Sequence, residues 1–251
     1  MEALIHEKLH EIEKRENCRI LLAVESGSRA WGFASTDSDY DVRFIYVRDK
    51  ESYLKLNRPR DVIELPINDV LDINGWDVEK TLKLLHKSNP TVFEGFSSPI
   101  IYKTTPFAEQ FKPVMRHYFS SKSGLWHYLQ MASGNYRDYL KRDMVKAKKY
   151  FYVLRPILAC RWILDKGTPP PMRFGELMDS QLPDYLKETV KSLLDLKMNS
   201  PEVKEIPRID MLNEYLDESI DEVKALVEQY PKEVMKDWDE LNRLFLRALE
   251  M

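Results

Sequence analysis

Two aspartates one residue apart, Asp39 and Asp41, open a segment rich in aromatic and β-branched residues. Such a segment predicts a β-strand, and side chains two residues apart on a strand point to the same face. Two carboxylates held side by side repel each other unless a cation lies between them. Mg²⁺ is usually bound by one or two carboxylates together with substrate phosphates. The spacing therefore indicates a magnesium site at the start of this strand.

A glycine-serine pair, Gly27-Ser28, lies upstream of the aspartates, just after the apolar run 19–25. Glycine lets the backbone approach a ligand closely, and residues 28–33 are compatible with a short helix, whose N-terminal N–H groups would face an anion. A phosphate-binding turn beside a carboxylate pair is the equipment for phosphoryl or nucleotidyl transfer with two metal ions about 3.5–4 Å apart. Each element alone is common, so the prediction depends on their combination.

Strand and helix patterns alternate over the first hundred residues. Apolar and β-branched runs predict strands at 19–25, 40–47, 61–67, 69–73 and 98–102, with a helix at 77–86. After about residue 105, five segments predict helices at 126–140, 144–164, 184–197, 211–230 and 232–249. Pro156 predicts a kink or break in the second of these. The expected fold class is α+β, with a mixed domain over 1–105 and a helical domain over 106–251.

The composition is that of an ordinary globular protein, with 43% hydrophobic and 31% charged residues in a chain of 251. No apolar run approaches the roughly 18 residues that a membrane span needs. The first segment alternates charged and apolar residues and does not look like a signal peptide. We therefore expect a cytoplasmic protein without a membrane partner. Cys18 and Cys160 form no C-x-x-C pattern, which argues against a thiolate zinc site or a disulfide scaffold.

Positive charge is concentrated in one segment of a chain whose net charge is -3. Residues 141–161 carry seven lysines or arginines against one aspartate. Within that segment, Arg142, Lys146 and Lys149 have the i, i+4, i+7 spacing of one helical stripe. Such stripes are commonly solvated faces, but a stripe that faced a metal cleft would bind polyphosphate or an RNA backbone.

The run GSRAWGFASTDSDYDVRFIYV closely resembles the signature of the DNA polymerase β-like nucleotidyltransferase superfamily. It is most similar to the branch known as the YcgL or RlaP type, some members of which are associated with RNA ligases. The resemblance continues through LDINGWDVEKTLKLLHKSNPTVFEGFSSPIIY and KKYFYVLRPILACRWI, and it covers most of residues 20–175. It implies a mixed sheet with flanking helices, followed by an all-α domain that closes a cleft over the nucleotide.

The resemblance also implies roles for the signature residues. In the superfamily the Gly-Ser pair, here Gly27 and Ser28, contacts the nucleoside triphosphate, and the D-x-D pair, here Asp39 and Asp41, ligates two Mg²⁺ ions. Arg43 lies two residues further on the same strand face. It would either hold the acidic pair in place through a salt bridge when metal is absent, or contact a substrate phosphate.

A third acid on a nearby strand completes the first metal site in the superfamily and helps to activate the acceptor hydroxyl. We expect Asp72 in this role, because it lies between apolar residues on a predicted strand, with Glu64 as the runner-up. Asp69 and Asp77 better fit the start of a strand and a helix cap.

The expected activity is Mg²⁺-dependent transfer of a nucleoside monophosphate from a nucleoside triphosphate to an acceptor hydroxyl. The association of relatives with RNA ligases and the basic segment both suggest an RNA end as the acceptor. A protein hydroxyl and a small molecule are the other acceptors compatible with the sequence. Two other classes are compatible with the sequence: a non-catalytic module that binds RNA or protein on the same scaffold, and a metal-dependent nuclease.

Overall fold

The structure is a computed structural model, and it describes residues 1–66, 70–199, 204–231, 233–234 and 236–251. The chain forms two compact units. The first comprises Met1–Ala30, Asp39–Phe119 and Met235–Met251, and the second comprises Trp31–Ser38 and Ser120–Val234. These units are defined by contacts within the chain. The functional division into 1–105 and 106–251 stays a prediction. None of the helices in the described residues is long and apolar enough to cross a membrane.

A five-stranded mixed sheet forms the centre of the first unit. Its strands are β1 (Cys18–Glu25), β2 (Tyr40–Arg48), β3 (Val62–Glu64), β4 (Leu71–Asp77) and β5 (Ile101–Thr104). They lie in the order β3-β4-β2-β1-β5, with β2 and β4 parallel and the other neighbours antiparallel. The predicted mixed sheet is confirmed. Of the predicted strand segments, residues 67–69 lie outside the described residues.

Helices surround this sheet. They are α1 (Glu2–Glu16), α2 (Gly27–Trp31), α3 (Lys50–Leu54), α4 (Val78–His86), α5 (Pro90–Ser97), α6 (Phe111–Tyr118) and α12 (Asp239–Ala248), with a 3₁₀ turn at Ala108–Gln110. α1 packs its apolar stripe on the sheet face that carries Val42, Phe44 and Tyr46. Part of the opposite face belongs to a second core that includes α4, α5, α6 and α12. Because side chains alternate along a strand, Asp41, Arg43 and Ile45 lie on this second face.

The second unit is mainly helical. Its helices are α7 (Ser121–Tyr139), α8 (Ala147–Lys166), α9 (Phe174–Gln181), α10 (Asp184–Met198) and α11 (Asp210–Gln229). α8 supplies much of the buried core, which α7, α9, α10 and α11 surround. Two three-residue strands, β6 (Met144–Lys146) and β7 (Glu205–Pro207), pair antiparallel beside this core. The predicted helical C-terminal region is confirmed, with this short ribbon as an addition.

Three predicted helices begin at a clearly different residue in the structure. The helix predicted at 126–140 begins at Ser121, because Ser120 caps it by accepting from the backbone N–H of Ser123. The segment 144–164 begins as a strand, because Val145 is buried and pairs with Ile206, so the helix starts only at Ala147. α8 then continues past Pro156, so the predicted break is absent. The segment 232–249 is helical only from Asp239 to Ala248, and two of its residues, 232 and 235, lie outside the described part of the chain.

Candidate active site

Two carboxylates lie next to each other where β2 and β4 run side by side. The parallel register places Asp41 opposite Asp72, and neighbouring strands are about 4.8 Å apart. Both side chains are partly exposed, at 30% and 27%. The strands therefore bring together two of the three predicted metal ligands on one accessible face of the sheet.

Arg43 lies between the two carboxylates. Its Nη2 donates to Oδ1 of Asp41 at 3.0 Å and to Oδ2 of Asp72 at 2.7 Å. Its Nη1 donates to the backbone carbonyls of Val42 and Asp72, both at 3.1 Å. The guanidinium thus bridges the two carboxylates and offsets one of their two negative charges, in the geometry expected for a salt bridge that holds the pair in place without metal.

Gly27 is a structural requirement of this site. Its φ is +60°, a left-handed conformation, and a Cβ at this position would lie 2.1 Å from Oδ2 of Asp41. Only glycine leaves room for the carboxylate here. Ser28 follows in the first turn of α2 and is half-buried. The Gly-Ser pair and the second aspartate of the D-x-D motif are therefore adjacent in space.

Asp39 is placed differently from its partner in the motif. It precedes β2, which starts at Tyr40, and its side chain is exposed in the connecting loop. Its backbone carbonyl accepts a hydrogen bond from Nε of Arg29 at 3.0 Å, and the guanidinium of Arg29 stacks 3.7 Å from the centre of the Tyr40 ring. Asp39 therefore lies at the entrance of the strand that carries Asp41, outside the regular pairing.

The other acids considered for the third position are engaged elsewhere. Glu64, on the edge strand β3, accepts hydrogen bonds from Arg60 and Asn74 at 3.2 and 3.3 Å. Asp77 caps α4 by accepting from the backbone N–H of Glu79, which confirms the predicted cap, and burial raises its pKa to about 6. Asp69 lies outside the described residues.

A buried glutamate supports the site and was missed from the sequence. Glu25, at the end of β1, is completely buried. Its Oε1 accepts a hydrogen bond from the backbone N–H of Asp41 at 2.8 Å, and its Oε2 accepts one from the Tyr102 hydroxyl. Burial raises the pKa of Glu25. The sequence signal was a charged residue that closes an otherwise apolar strand.

The residues of this face suit Mg²⁺, a hard cation. Among the described residues, no cluster of three or more histidine, cysteine or acidic side chains is placed to hold a metal ion. Mg²⁺ does not require such a cluster, because one or two carboxylates plus substrate phosphates usually suffice. Asp41 and Asp72 provide such a pair, and Gly27 leaves room for the Asp41 carboxylate. A cation bound there would compete with Arg43 for the same oxygens.

The predicted basic stripe is a cluster of a different kind. Arg142 lies in the loop after α7, Lys146 ends β6 and Lys149 lies in the first turn of α8, so the prediction of one helical face is wrong. The three residues nevertheless line one cavity of about 440 Å³ within the second unit. The Lys149 ammonium lies 3.6 Å from the centre of the Tyr139 ring, and its pKa is lowered by burial and then by neighbouring lysines.

A mixed sheet with paired carboxylates beside a glycine-led turn is the arrangement expected of a polymerase β-like nucleotidyltransferase. Residues 1–247 match the family described as "RlaP: RNA repair pathway DNA polymerase beta family", and the chain belongs to this family. It is 45% identical over 252 residues to "Uncharacterized protein YcgL" of Bacillus subtilis (strain 168), with 100% of this chain and 97% of that protein covered.

A solved structure gives a weaker similarity. The crystal structure of a nucleotidyltransferase-like protein from Exiguobacterium sibiricum 255-15 aligns with 98% of this chain and 89% of its own, at 14% identity and a TM-score of 0.32. A score this low supports no statement about this chain. The family assignment rests on the sequence matches.

Proposed function

We propose that this protein is a Mg²⁺-dependent nucleotidyltransferase that transfers a nucleoside monophosphate from a nucleoside triphosphate to a hydroxyl at an RNA end, with release of pyrophosphate. The observation that carries the proposal is the pair of carboxylates of Asp41 and Asp72 on adjacent parallel strands, with Asp41 packed against Gly27. Family membership supports the same class of reaction. We place the activity in the cytoplasm.

The carboxylates of Asp39, Asp41 and Asp72 would hold the metal ions. Two Mg²⁺ ions, when bound, neutralise phosphate charge and lower the pKa of the acceptor hydroxyl. The protein's own contribution is positioning. Glu25 fixes the backbone of Asp41, and the strand pairing fixes Asp72 beside it, so both carboxylates are in place before any ligand arrives.

The triphosphate would lie against Gly27 and Ser28, at the turn that adjoins the Asp41 carboxylate. When Asp41 and Asp72 hold Mg²⁺, the Arg43 guanidinium would be available to bind phosphate oxygens through two parallel hydrogen bonds. Arg142, Lys146 and Lys149, which share a cavity, supply a second cationic surface for polyphosphate or an RNA backbone.

The choice of RNA as the acceptor is supported by two observations. The family description places its members in an RNA repair pathway. The cavity in the second unit is lined by four cationic residues, two acidic residues and Tyr139. Cations interleaved with aromatic side chains are typical of surfaces that bind single-stranded nucleic acid.

The test is label transfer from a nucleoside triphosphate carrying a labelled α-phosphate to a short RNA in the presence of Mg²⁺. We expect Asp41→Asn and Asp72→Asn to lower transfer at least about 100-fold, because each removes a carboxylate from the reacting centre. Glu64→Gln should have a far smaller effect, since Glu64 is bonded to Arg60 and Asn74 instead. Unchanged transfer in Asp41→Asn would refute the mechanism.

One observation favours a second candidate, a module that binds RNA without turnover. Arg43 already forms an ion pair with both Asp41 and Asp72, so each carboxylate has a cationic partner without a metal ion. Such a module would bind RNA through Arg142 and its neighbours, with no dependence on Mg²⁺ or the aspartates. RNA affinity measured in EDTA, beside the transfer assay, separates the two. Cleavage of RNA without nucleotide would instead indicate a nuclease.

A further inference from the structure

The face of the sheet that carries the carboxylates changes its chemistry step by step along β2 and β4. The parallel register aligns three pairs on this face: Asp41 with Asp72, then Arg43 with Asn74, then Ile45 with Trp76. Each pair lies about 6.6 Å beyond the previous one, because a strand rises about 3.3 Å per residue. The face thus passes from acidic to polar to apolar along one direction.

A cavity of about 200 Å³ lies over the polar and apolar pairs, entirely within the first unit. Leu22 and Val24 of β1 add two buried apolar side chains to its lining, and Trp76 adds a half-buried indole. Ser26 and the exposed Thr91 contribute hydroxyl groups. Apolar walls with a few convergent polar groups are the usual make-up of a small-molecule site.

Gly95 is a second feature that favours a ligand in this cavity. It lies inside α5, where a glycine costs about 1 kcal/mol relative to alanine. A Cβ added to Gly95 would meet nothing within 4 Å, and its φ is not in the left-handed region, so neither crowding nor backbone conformation calls for a glycine. Gly95 lines the cavity. A missing side chain at this position keeps the cavity open.

We propose that this cavity binds the terminal ribonucleoside of the RNA acceptor, a proposal that rests on the proposed function. The acceptor hydroxyl would lie at Asp41 and Asp72, the ribose against Arg43 and Asn74, and the base against the apolar floor and Trp76. A nucleoside presents a hydroxyl, a polar sugar and a flat apolar ring in this same order. Unstacked RNA ends are typically bound by stacking on aromatic side chains together with hydrogen bonds to base edges.

The test fills the cavity from Gly95 with a methionine. Gly134, on α7 of the second unit, is a matched control, since a Cβ there also meets nothing within 4 Å and the residue is likewise helical and half-buried. The probes are a fluorescent eight-nucleotide single-stranded RNA with a free 3′ end, titrated in EDTA, and ATP, titrated in Mg²⁺. Gly95→Met should weaken RNA binding roughly tenfold or more, the size of one lost base stack. ATP binding should not change, and Gly134→Met should leave both affinities as in the wild type.

A second variant, Trp76→Leu, keeps the wall apolar and removes only the stacking surface, so it should also weaken RNA binding more than ATP binding. In the transfer assay, Gly95→Met should raise KM for RNA and leave KM for the triphosphate unchanged. Each outcome has a separate meaning. If Gly95→Met has the same KM for RNA as the wild type, the proposed cavity ligand is wrong, and the proposal of nucleotidyl transfer is unaffected.

Weakened RNA binding in Gly95→Met, with no transfer by the wild type, supports the cavity ligand and rejects the transferase. Weakened binding of ATP instead of RNA would mean that the cavity takes the base of the nucleotide, which overturns the assignment to the acceptor. Transfer to a tyrosine-containing peptide that is lost in Gly95→Met, with RNA inert, would overturn the nucleoside in favour of a protein hydroxyl.

Discussion

Replacing Gly27 with alanine tests the geometry of the candidate site most directly. The added Cβ would lie 2.1 Å from Oδ2 and 3.0 Å from Cγ of Asp41, whereas an ordinary contact begins at 3.4 Å. The Asp41 carboxylate must therefore move by about 1.3 Å, or the backbone must shift by a similar amount. Displacement of a reacting group by about 1 Å can cost about 100-fold in rate. We expect a loss of that order in nucleotidyl transfer.

The same substitution also strains the backbone, because Gly27 has a φ of +60°. A left-handed conformation costs a non-glycine residue about 1–2 kcal/mol. Gly32→Ala provides the matched control, since Gly32 has a φ of +87° but a Cβ there meets nothing within 4 Å. Both variants should lose about 1–2 kcal/mol of unfolding free energy in urea titrations from backbone strain, and Gly27→Ala should lose more because of its contact with Asp41. Only Gly27→Ala should lose transfer activity.

The assay is single-turnover transfer of labelled nucleotide at saturating triphosphate, run on samples whose folding has been checked by urea titration. If Gly27→Ala stays within about threefold of Gly32→Ala, the contact with Asp41 has no catalytic importance and the reasoning fails. A double variant guards against a trivial loss through misfolding. In an Asp41→Asn background, adding Gly27→Ala should cost little further activity, because the two changes act on one group.

Three further predictions follow from charges in the structure. Arg43→Met should lower the unfolding free energy in EDTA by about 1 kcal/mol, because the carboxylate pair that Arg43 bridges is partly exposed. Mg²⁺ should then raise the melting temperature more in the variant than in the wild type. Equal shifts would contradict competition between Arg43 and Mg²⁺ for the same carboxylates. Burial raises the pKa of Asp77 to about 6, so its stabilising contribution is fully present below about pH 4 and is lost as the pH rises through 6. In urea titrations, the unfolding free energy of Asp77→Asn minus that of the wild type should therefore rise by about 3 kcal/mol between pH 4 and pH 7. A difference that does not change with pH would refute the raised pKa of Asp77. Replacing Arg142, Lys146 and Lys149 together with alanine should make the slope of log K for RNA binding against log salt concentration less steep by about 2. An unchanged slope would mean that these residues do not contact the RNA backbone.

The acidic face could be predicted from the sequence because it depends on local alternation. Asp41 and Arg43 share a face by their spacing alone, and Asp72 was chosen because apolar residues flank it on a strand. The structure adds the parallel register, which sets Asp72 opposite Asp41. Pairing between strands about thirty residues apart is a tertiary choice, so the sequence could nominate Asp72 but could not place it.

The errors have a common origin in contacts between distant parts of the chain. Lys146 was predicted to be helical, but its segment pairs with Glu205–Pro207, about sixty residues later. Because of that pairing, α8 begins only at Ala147, and the three cations are brought to one cavity by a loop, a strand and a helix start. Glu25 was overlooked for a similar reason, because its hydrogen-bond partners, Asp41 and Tyr102, are remote in sequence. Local propensity contains no information about either arrangement.

The two aspartates of the D-x-D motif are held very differently, and this difference bears on how the site would work. Asp41 is fixed through the Glu25 carboxylate on its backbone, the Arg43 guanidinium on its side chain and the space left by Gly27. Asp39 is exposed in the loop before the strand. Preorganised groups contribute most to catalysis because they need no rearrangement during the reaction. We therefore propose that the Asp41–Asp72 pair is the fixed half of the candidate site, and that Asp39 would join it only when nucleotide binds.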